Sequence, residues 1–176
     1  ALEPVIESVG GIDTIRGMGI GAPNANYYTG TIDNAANLEW KGSIPLAKMF
    51  SDKLGIPVAM TNDANAAAVG EMTYGVARGM KNFIMITLGT GVGSGIVVNG
   101  QLVYGSDGFA GELGHVIVDY SADARVCGCG RKGCLETYCS GTGIARTARE
   151  MLVQDSRPSI LREYNIDEIT GLEVIY

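Results

Sequence analysis

The sequence predicts an α/β fold, and three observations carry that reading. Apolar strand-like runs recur at IRGMGI (15–20), IPVAMT (56–61) and NFIMITL (82–88), and helix-patterned segments lie between them. The third is size: 176 residues, 46% hydrophobic and 18% charged, suffice for one globular core or two small lobes. In chain order, Leu2–Val9 reads as the end of a helix, and the run from Ile15 is a strand that ends in a Gly-Ala-Pro-Asn turn. Residues 24–40 read as loop with short extended pieces. Ile44, Leu46, Met49, Phe50 and Leu54 recur at helical spacing, with Gly55 as the stop signal. A short buried strand at 56–61 then opens onto an alanine-rich helix over 64–74, capped by Asn62 or Asp63. A break between lobes falls near Asp63, giving segments 1–63 and 64–176, although no Pro/Ser-rich linker marks it.

Composition excludes several classes of function. A net charge of −6 argues against a nucleic-acid surface. No apolar run is long enough to cross a bilayer, and the first ten residues lack the basic start and apolar middle of a secretory signal, so the expectation is a cytoplasmic protein without a membrane partner. The 26 glycines carry no period, which excludes collagen-like and linker readings.

The segment LGTGVGSGIVVNGQLVYG (88–105) places glycines after an apolar strand, where backbone N–H groups can approach an anion. It lacks the Gly-Lys-Ser/Thr of a Walker loop. A dinucleotide-binding turn would be followed by a helix, whereas here β-rich runs flank Asn99-Gly100, a strong hairpin signal. The glycines therefore join strand to strand, with Thr90 between Gly89 and Gly91.

Three of the four cysteines fall within Cys127–Cys134, as Cys-x-Cys-x4-Cys, twelve positions after the chain's one histidine, His115. Gly128, Gly130 and Gly133 allow the sharp turns that aim thiolates at one point. Cys127, Cys129, Cys134 and His115 would close a tetrahedral zinc site with no open position, which makes the metal structural. Cys139 is the competing ligand, but a helix starting near Cys134 turns it away, so it reads as an ordinary buried thiol.

The runs TNDANAAAVGE, LGTGVGSGIVVNGQL, GELGH and CGCGRKGCLETYCSGTGI, in this order, resemble the ROK family of sugar kinases and sugar-responsive repressors, most nearly its glucokinases. The likeness runs from about Ile15 to Glu150. It implies an actin-like ATPase, or ribonuclease H-like, sugar kinase fold of two lobes, in which 1–63 is the remainder of the N-terminal lobe and 64–176 the start of the C-terminal one. It also implies ATP-dependent phosphorylation of a hexose, glucose to glucose 6-phosphate foremost, with Mg²⁺ as ATP's companion. By the same likeness Asp63 is the general base. Asn37, Asn62, Asp63, Glu112, His115 and Glu136 contact the sugar, and Gly89, Thr90 and Gly91 the phosphates. Without the resemblance, Asp63 reads as a helix cap, and the two roles are compatible because the helix N-terminus favours negative charge. Zinc on one nitrogen of His115 would leave the other for a sugar hydroxyl, so the metal would orient a binding residue.

The family's opening Asp-x-Gly-x-Thr strand and its closing adenosine-enclosing helices are not present, so the sequence reads as an internal piece, incomplete at both ends. The alternative is a sugar-responsive ROK repressor that uses the same sugar and zinc residues for recognition alone. Fructose, mannose, allose and N-acetylmannosamine compete with glucose as the sugar. The resemblance also implies a homodimer.

Overall fold

The computed structural model describes residues 2–33 and 42–175. Two compact units are present, Ala1–Met85 with Gly95–Gly111, and Ile86–Ser94 with Glu112–Tyr176. The chain passes between the units within β6 (Phe83–Leu88), within β7 (Val92–Val98) and again after Gly111.

The first unit begins with α1 (Glu3–Ser8) and the strand β1 (Met18–Gly21), which pairs in parallel with β5 (Val58–Thr61) in the register Met18↔Val58 to Gly21↔Thr61. Between these strands lie an antiparallel sheet of β2 (Ala25–Asn26), β3 (Thr31–Asp33) and β4 (Ser43–Ile44), and the helix α2 (Leu46–Leu54). Gly55 ends α2 in the left-handed conformation at φ 69°, the residue type that pays least for it. Ala25, Ile32, Ala47 and Met60 form the core, with Ile20, Leu46 and Val58 packed against it.

Helix α3 (Asp63–Tyr74) follows β5 after the single residue Asn62, whose side chain accepts from the Ala64 N–H at 2.8 Å. Its alanines serve close packing. A Cβ at Gly21 would lie 2.9 Å from Ala66 Cβ, and one at Gly95 only 2.6 Å from Ala68 Cβ, so the helix sits directly on β1 and β7 with no room for larger side chains. That packing fixes the residues at the start of α3 relative to both strands. β7 turns back at Asn99-Gly100, both with positive φ (53° and 76°), into β8 (Gln101–Leu102), as the hairpin signal predicts.

In the second unit the helix expected to start near Cys134 is found as two, α4 (Glu136–Cys139) and α5 (Gly141–Gln154). Ser140 is extended at ψ 164°, and its hydroxyl accepts from the Gly143 N–H at 3.1 Å, so a new N-cap interrupts the helix. Because the Gly141 N–H donates to Gly89 O, the break leaves the Thr137 carbonyl without its helical donor, and buried Arg125 supplies one at 2.7 Å while also donating to Gly143 O at 3.2 Å. The same guanidinium lies 4.6 Å from the centre of the Tyr138 ring and pairs with Glu150 Oε2 at 2.6 Å. Residues 155–170 hold two 3-10 turns, Ile160–Glu163 and Ile166–Glu168, followed by α6 (Gly171–Ile175).

Truncating buried Arg125 leaves the Thr137 carbonyl without a donor, so Arg125→Met is expected to lower unfolding stability by about 1–3 kcal/mol. Arg146 and then Arg125 hold the Glu150 carboxyl below its usual value. A depressed carboxylate contributes stability above its unfolded pKa and loses it as pH falls through the folded one. Acid titration of Glu150→Gln, followed by circular dichroism, should therefore show a shallower loss of stability below the ordinary glutamate range than the unsubstituted protein.

Candidate functional site

His115 ends the 3-10 turn Leu113–His115, and the three cysteines lie on a loop pinned by the isolated bridges Ile117↔Cys134 and Val126↔Lys132. Gly133 has φ 77°, and a Cβ there would overlap the Asp119 carbonyl oxygen, so glycine is required at the point where the loop doubles back beside Cys134. The ligand atoms of His115, Cys127, Cys129 and Cys134 all lie within 4.8 Å of one another. The Cys129 and Cys134 sulfurs are 3.7 Å apart, and Cys127 Sγ is 3.6 Å from His115 Nδ1. A tetrahedral zinc ion with Zn–S near 2.3 Å and Zn–N near 2.05 Å has S–S and S–N edges of about 3.8 and 3.6 Å. These two edges thus fit the ion, and the donor set of three thiols and one imidazole suits it.

The charge state of the thiols argues the same way. The backbone N–H of Arg131, then its guanidinium, hold the Cys129 thiol down to about 6, so it is largely thiolate at neutral pH. Burial first, with the Cys129 thiolate adding to it, pushes Cys127 up to about 11. A bound dication would remove that opposition among neighbouring sulfurs. Arg131, which also donates to His115 O at 3.0 Å, was missed in the sequence, where a basic residue inside a cysteine loop reads as solvated.

Cys139 stands apart from the cluster, as expected, though for a different reason and in a different setting. Cys134 precedes α4, so no common helix relates the two, and Cys139 is half-buried, not fully buried. Its partial burial raises the thiol pKa, leaving it a poor nucleophile.

With Nδ1 of His115 directed at Cys127, Nε2 faces Glu112 Oε2 at 4.0 Å. Glu136 Oε1 lies 3.9 Å from Cys127 Sγ, while Oε2 accepts from the Val92 N–H at 2.9 Å. Glu112, His115 and Glu136 therefore gather around the cluster within one unit, which also holds Gly89, Thr90 and Gly91. The Gly89 carbonyl accepts from the Gly141 N–H at 2.8 Å, so the start of α5 backs onto the glycine turn.

Asn62 and Asp63 belong to the other unit, at the carboxyl end of the parallel pair β1–β5, the end at which α/β sheets present their ligand-binding groups. Asp63 is exposed; its Oδ1 accepts from the Ala64 N–H at 2.9 Å, and Oδ2 makes no hydrogen bond among the described residues. Asn37 lies outside the described residues. No helix among the described residues is long and apolar enough to cross a membrane.

Residues 5–174 match the model of the ROK family. The chain belongs to the ROK family. Among its relatives, a glucokinase of Halalkalibacterium halodurans is 45% identical over 150 residues, covering 85% of this chain and 45% of that protein. A xylose repressor of Caldicellulosiruptor bescii is 35% identical over 162 residues, covering 92% of this chain and 40% of that one. The ROK family glucokinase from Streptomyces griseus, solved with glucose and AMPPNP, superposes with a TM-score of 0.72 at 33% identity over 98% of this chain and 58% of its own. This ROK chain thus has the α/β, actin-like ATPase fold of the family's sugar kinases, and it spans less than half the length of the curated relatives named here.

Metal analysis of the full-length ROK protein should find close to one equivalent of zinc per chain. Cys129→Ser should release it and lower the thermal midpoint by several degrees, the thiolate being the ligand that is ionised most easily. A protein free of zinc when purified without chelators would remove the metal from this account.

Proposed function

We propose that the full-length protein is an ATP-dependent hexose kinase, with glucose the leading substrate and glucose 6-phosphate the product. The observation that carries this reading is Asp63: an exposed carboxylate with one oxygen fixed by the Ala64 N–H and the other without a hydrogen bond among the described residues, at the carboxyl end of β5. A general base needs that combination of fixed direction and a free lone pair.

In the reaction, Asp63 accepts the proton of the sugar hydroxyl as its oxygen attacks the γ-phosphorus of ATP. The bond from that phosphorus to the bridging oxygen breaks, and ADP leaves. Asn37, Asn62, Glu112, His115 and Glu136 hold the sugar's hydroxyls. Backbone N–H groups at Thr90 and Gly91 receive the phosphates, while Gly89, whose own N–H donates to Gly91 O at 3.0 Å, shapes the turn, with Mg²⁺ arriving as part of the nucleotide. Zinc, when bound to His115, Cys127, Cys129 and Cys134, takes no part in bond making; it fixes the imidazole ring so that its other edge is available for recognition.

A second reading, a sugar-responsive repressor, is favoured by the xylose repressor relatives and by a ROK family transcriptional regulator of known structure with a TM-score of 0.71 at 29% identity. The higher identity to a glucokinase and the exposed carboxylate of Asp63 support the kinase. A coupled assay of ATP with glucose, fructose, mannose, allose and N-acetylmannosamine separates the two, because a repressor binds sugar without consuming ATP. Asp63→Asn in the full-length protein is expected to lower kcat by about 10²–10⁴-fold while the sugar's Kd changes little. Near-normal turnover by that variant would refute the base assignment.

A further inference from the structure

One side chain joins the metal loop to the glycine turn. Glu136 stands two residues beyond Cys134 and is the first residue of α4. Its Oε2 accepts from the Val92 N–H at 2.9 Å, just past the turn, and a Cβ on Gly91 would stand 2.5 Å from the same oxygen. Its Oε1 lies 3.9 Å from Cys127 Sγ. Beyond the far end of α4 the chain meets the turn again, with Gly141 N–H donating to Gly89 O at 2.8 Å and Thr142 Oγ1 to Thr90 O at 3.4 Å. A helix of four residues has no stability of its own, so α4 takes its position from these attachments. Moving the metal loop moves Cys134, and with it the residue whose carboxylate is bonded to Val92.

We propose that Glu136 is a positioning residue for the glycine turn, holding Gly91 and Val92 in register with the Cys/His cluster, so that occupancy of the cluster by its metal sets the affinity of the turn for the phosphates of a nucleoside triphosphate. The inference rests on the kinase reading and adds to it. Contact with a sugar hydroxyl would use the carboxylate's remaining lone pairs, so the two roles of Glu136 coexist. The cluster then has an effect on the phosphate side as well as on the sugar side.

The test is titration of AMPPNP with Mg²⁺ into the full-length, zinc-loaded protein by calorimetry, without sugar, so that sugar contacts do not enter. Losing a hydrogen bond to a charged acceptor should make Glu136→Ala bind the nucleotide about tenfold more weakly or worse. Glu136→Gln, whose amide oxygen can still accept from the Val92 N–H, should stay within about threefold of the unsubstituted protein. Chelating the zinc should weaken the unsubstituted protein to the level of Glu136→Ala and change that variant little. The linkage is also read without any substitution. Amide exchange at Val92, followed by NMR, should quicken on chelation while that of Val97, further along β7, does not.

Nucleotide affinity of Glu136→Ala within twofold of the unsubstituted protein would overturn the inference. So would equal weakening of both proteins on chelation, or Val92 exchange that ignores the metal; should Glu136→Ala fail to fold, the exchange measurement decides alone. If the unsubstituted protein binds no AMPPNP, the kinase reading falls and this inference with it. If it binds while Glu136→Ala is unaffected, this inference alone falls.

Discussion

Three thiols and an imidazole nitrogen converge within 4.8 Å in a part of the chain that has almost no regular structure to hold them. Between β8 and α4 the backbone offers a 3-10 turn and two isolated bridges, and everything else is turn and loop. Hydrophobic burial does little there: Val116, Val118, Tyr120 and Val126 are exposed. Convergence of the sulfurs also opposes itself electrostatically, since Arg131 ionises Cys129 first and the thiolate so formed discourages Cys127. A bound dication would reverse the sign of that interaction and fasten the loop where it is least favourable. His115 and Glu136 both border that loop, with His115 Nδ1 3.6 Å and Glu136 Oε1 3.9 Å from Cys127 Sγ.

Arg125 is the corresponding device on the protein side. It enters from the same loop, two residues before Cys127, and donates to carbonyls on both sides of the break at Ser140. The Tyr138 hydroxyl accepts from the Arg125 backbone N–H and donates to Asp119, so the aromatic ring is bound at its edge while the guanidinium covers its face. The interruption of the helix is thereby a fully bonded corner, not a defect. It separates α4, which begins two residues after Cys134, from α5, whose first residue donates to Gly89 O at 2.8 Å.

What could be read from the sequence was whatever one local interaction decides. Gly55 stops α2 because left-handed backbone favours glycine, and Asn99-Gly100 makes the hairpin because both residues need positive φ. The Cys-x-Cys-x4-Cys run declares a cluster because thiols so dense, amid glycines, have few other uses. The helix break falls at Ser140 in a Ser-Gly-Thr-Gly run, where the serine hydroxyl caps α5. Only the donors of Arg125, fifteen residues upstream, make the break cheap. The turns at 160–168 could not be anticipated for a similar reason, being held by polar contacts such as Arg149 to the Ile169 carbonyl, which leave no periodic trace. Glu136 shows the same limit at the candidate site. Its motif marks it as a binding residue, but its bond to Val92, 44 positions away, exists only in three dimensions.

The mixture of glucokinases and repressors among the relatives has a physical sense in this arrangement. A metal loop, an oriented imidazole, two carboxylates beside it and a glycine turn can all serve recognition, because each supplies hydrogen bonds in fixed directions and none transfers a proton. Catalysis adds one demand, a base whose free lone pair meets the attacking hydroxyl, and base catalysis contributes about 10²–10⁴ in rate without any requirement that affinity change. Asp63 stands in the compact unit that does not contain the metal loop, on a helix seated by alanines against β1 and β7. On the proposed reading the base and Asn62 belong to one compact unit, and Glu112, His115 and Glu136 to the other. Loss of the Asp63 carboxylate alone would leave the other proposed recognition groups in place, so a scaffold of this kind can serve as either enzyme or sensor.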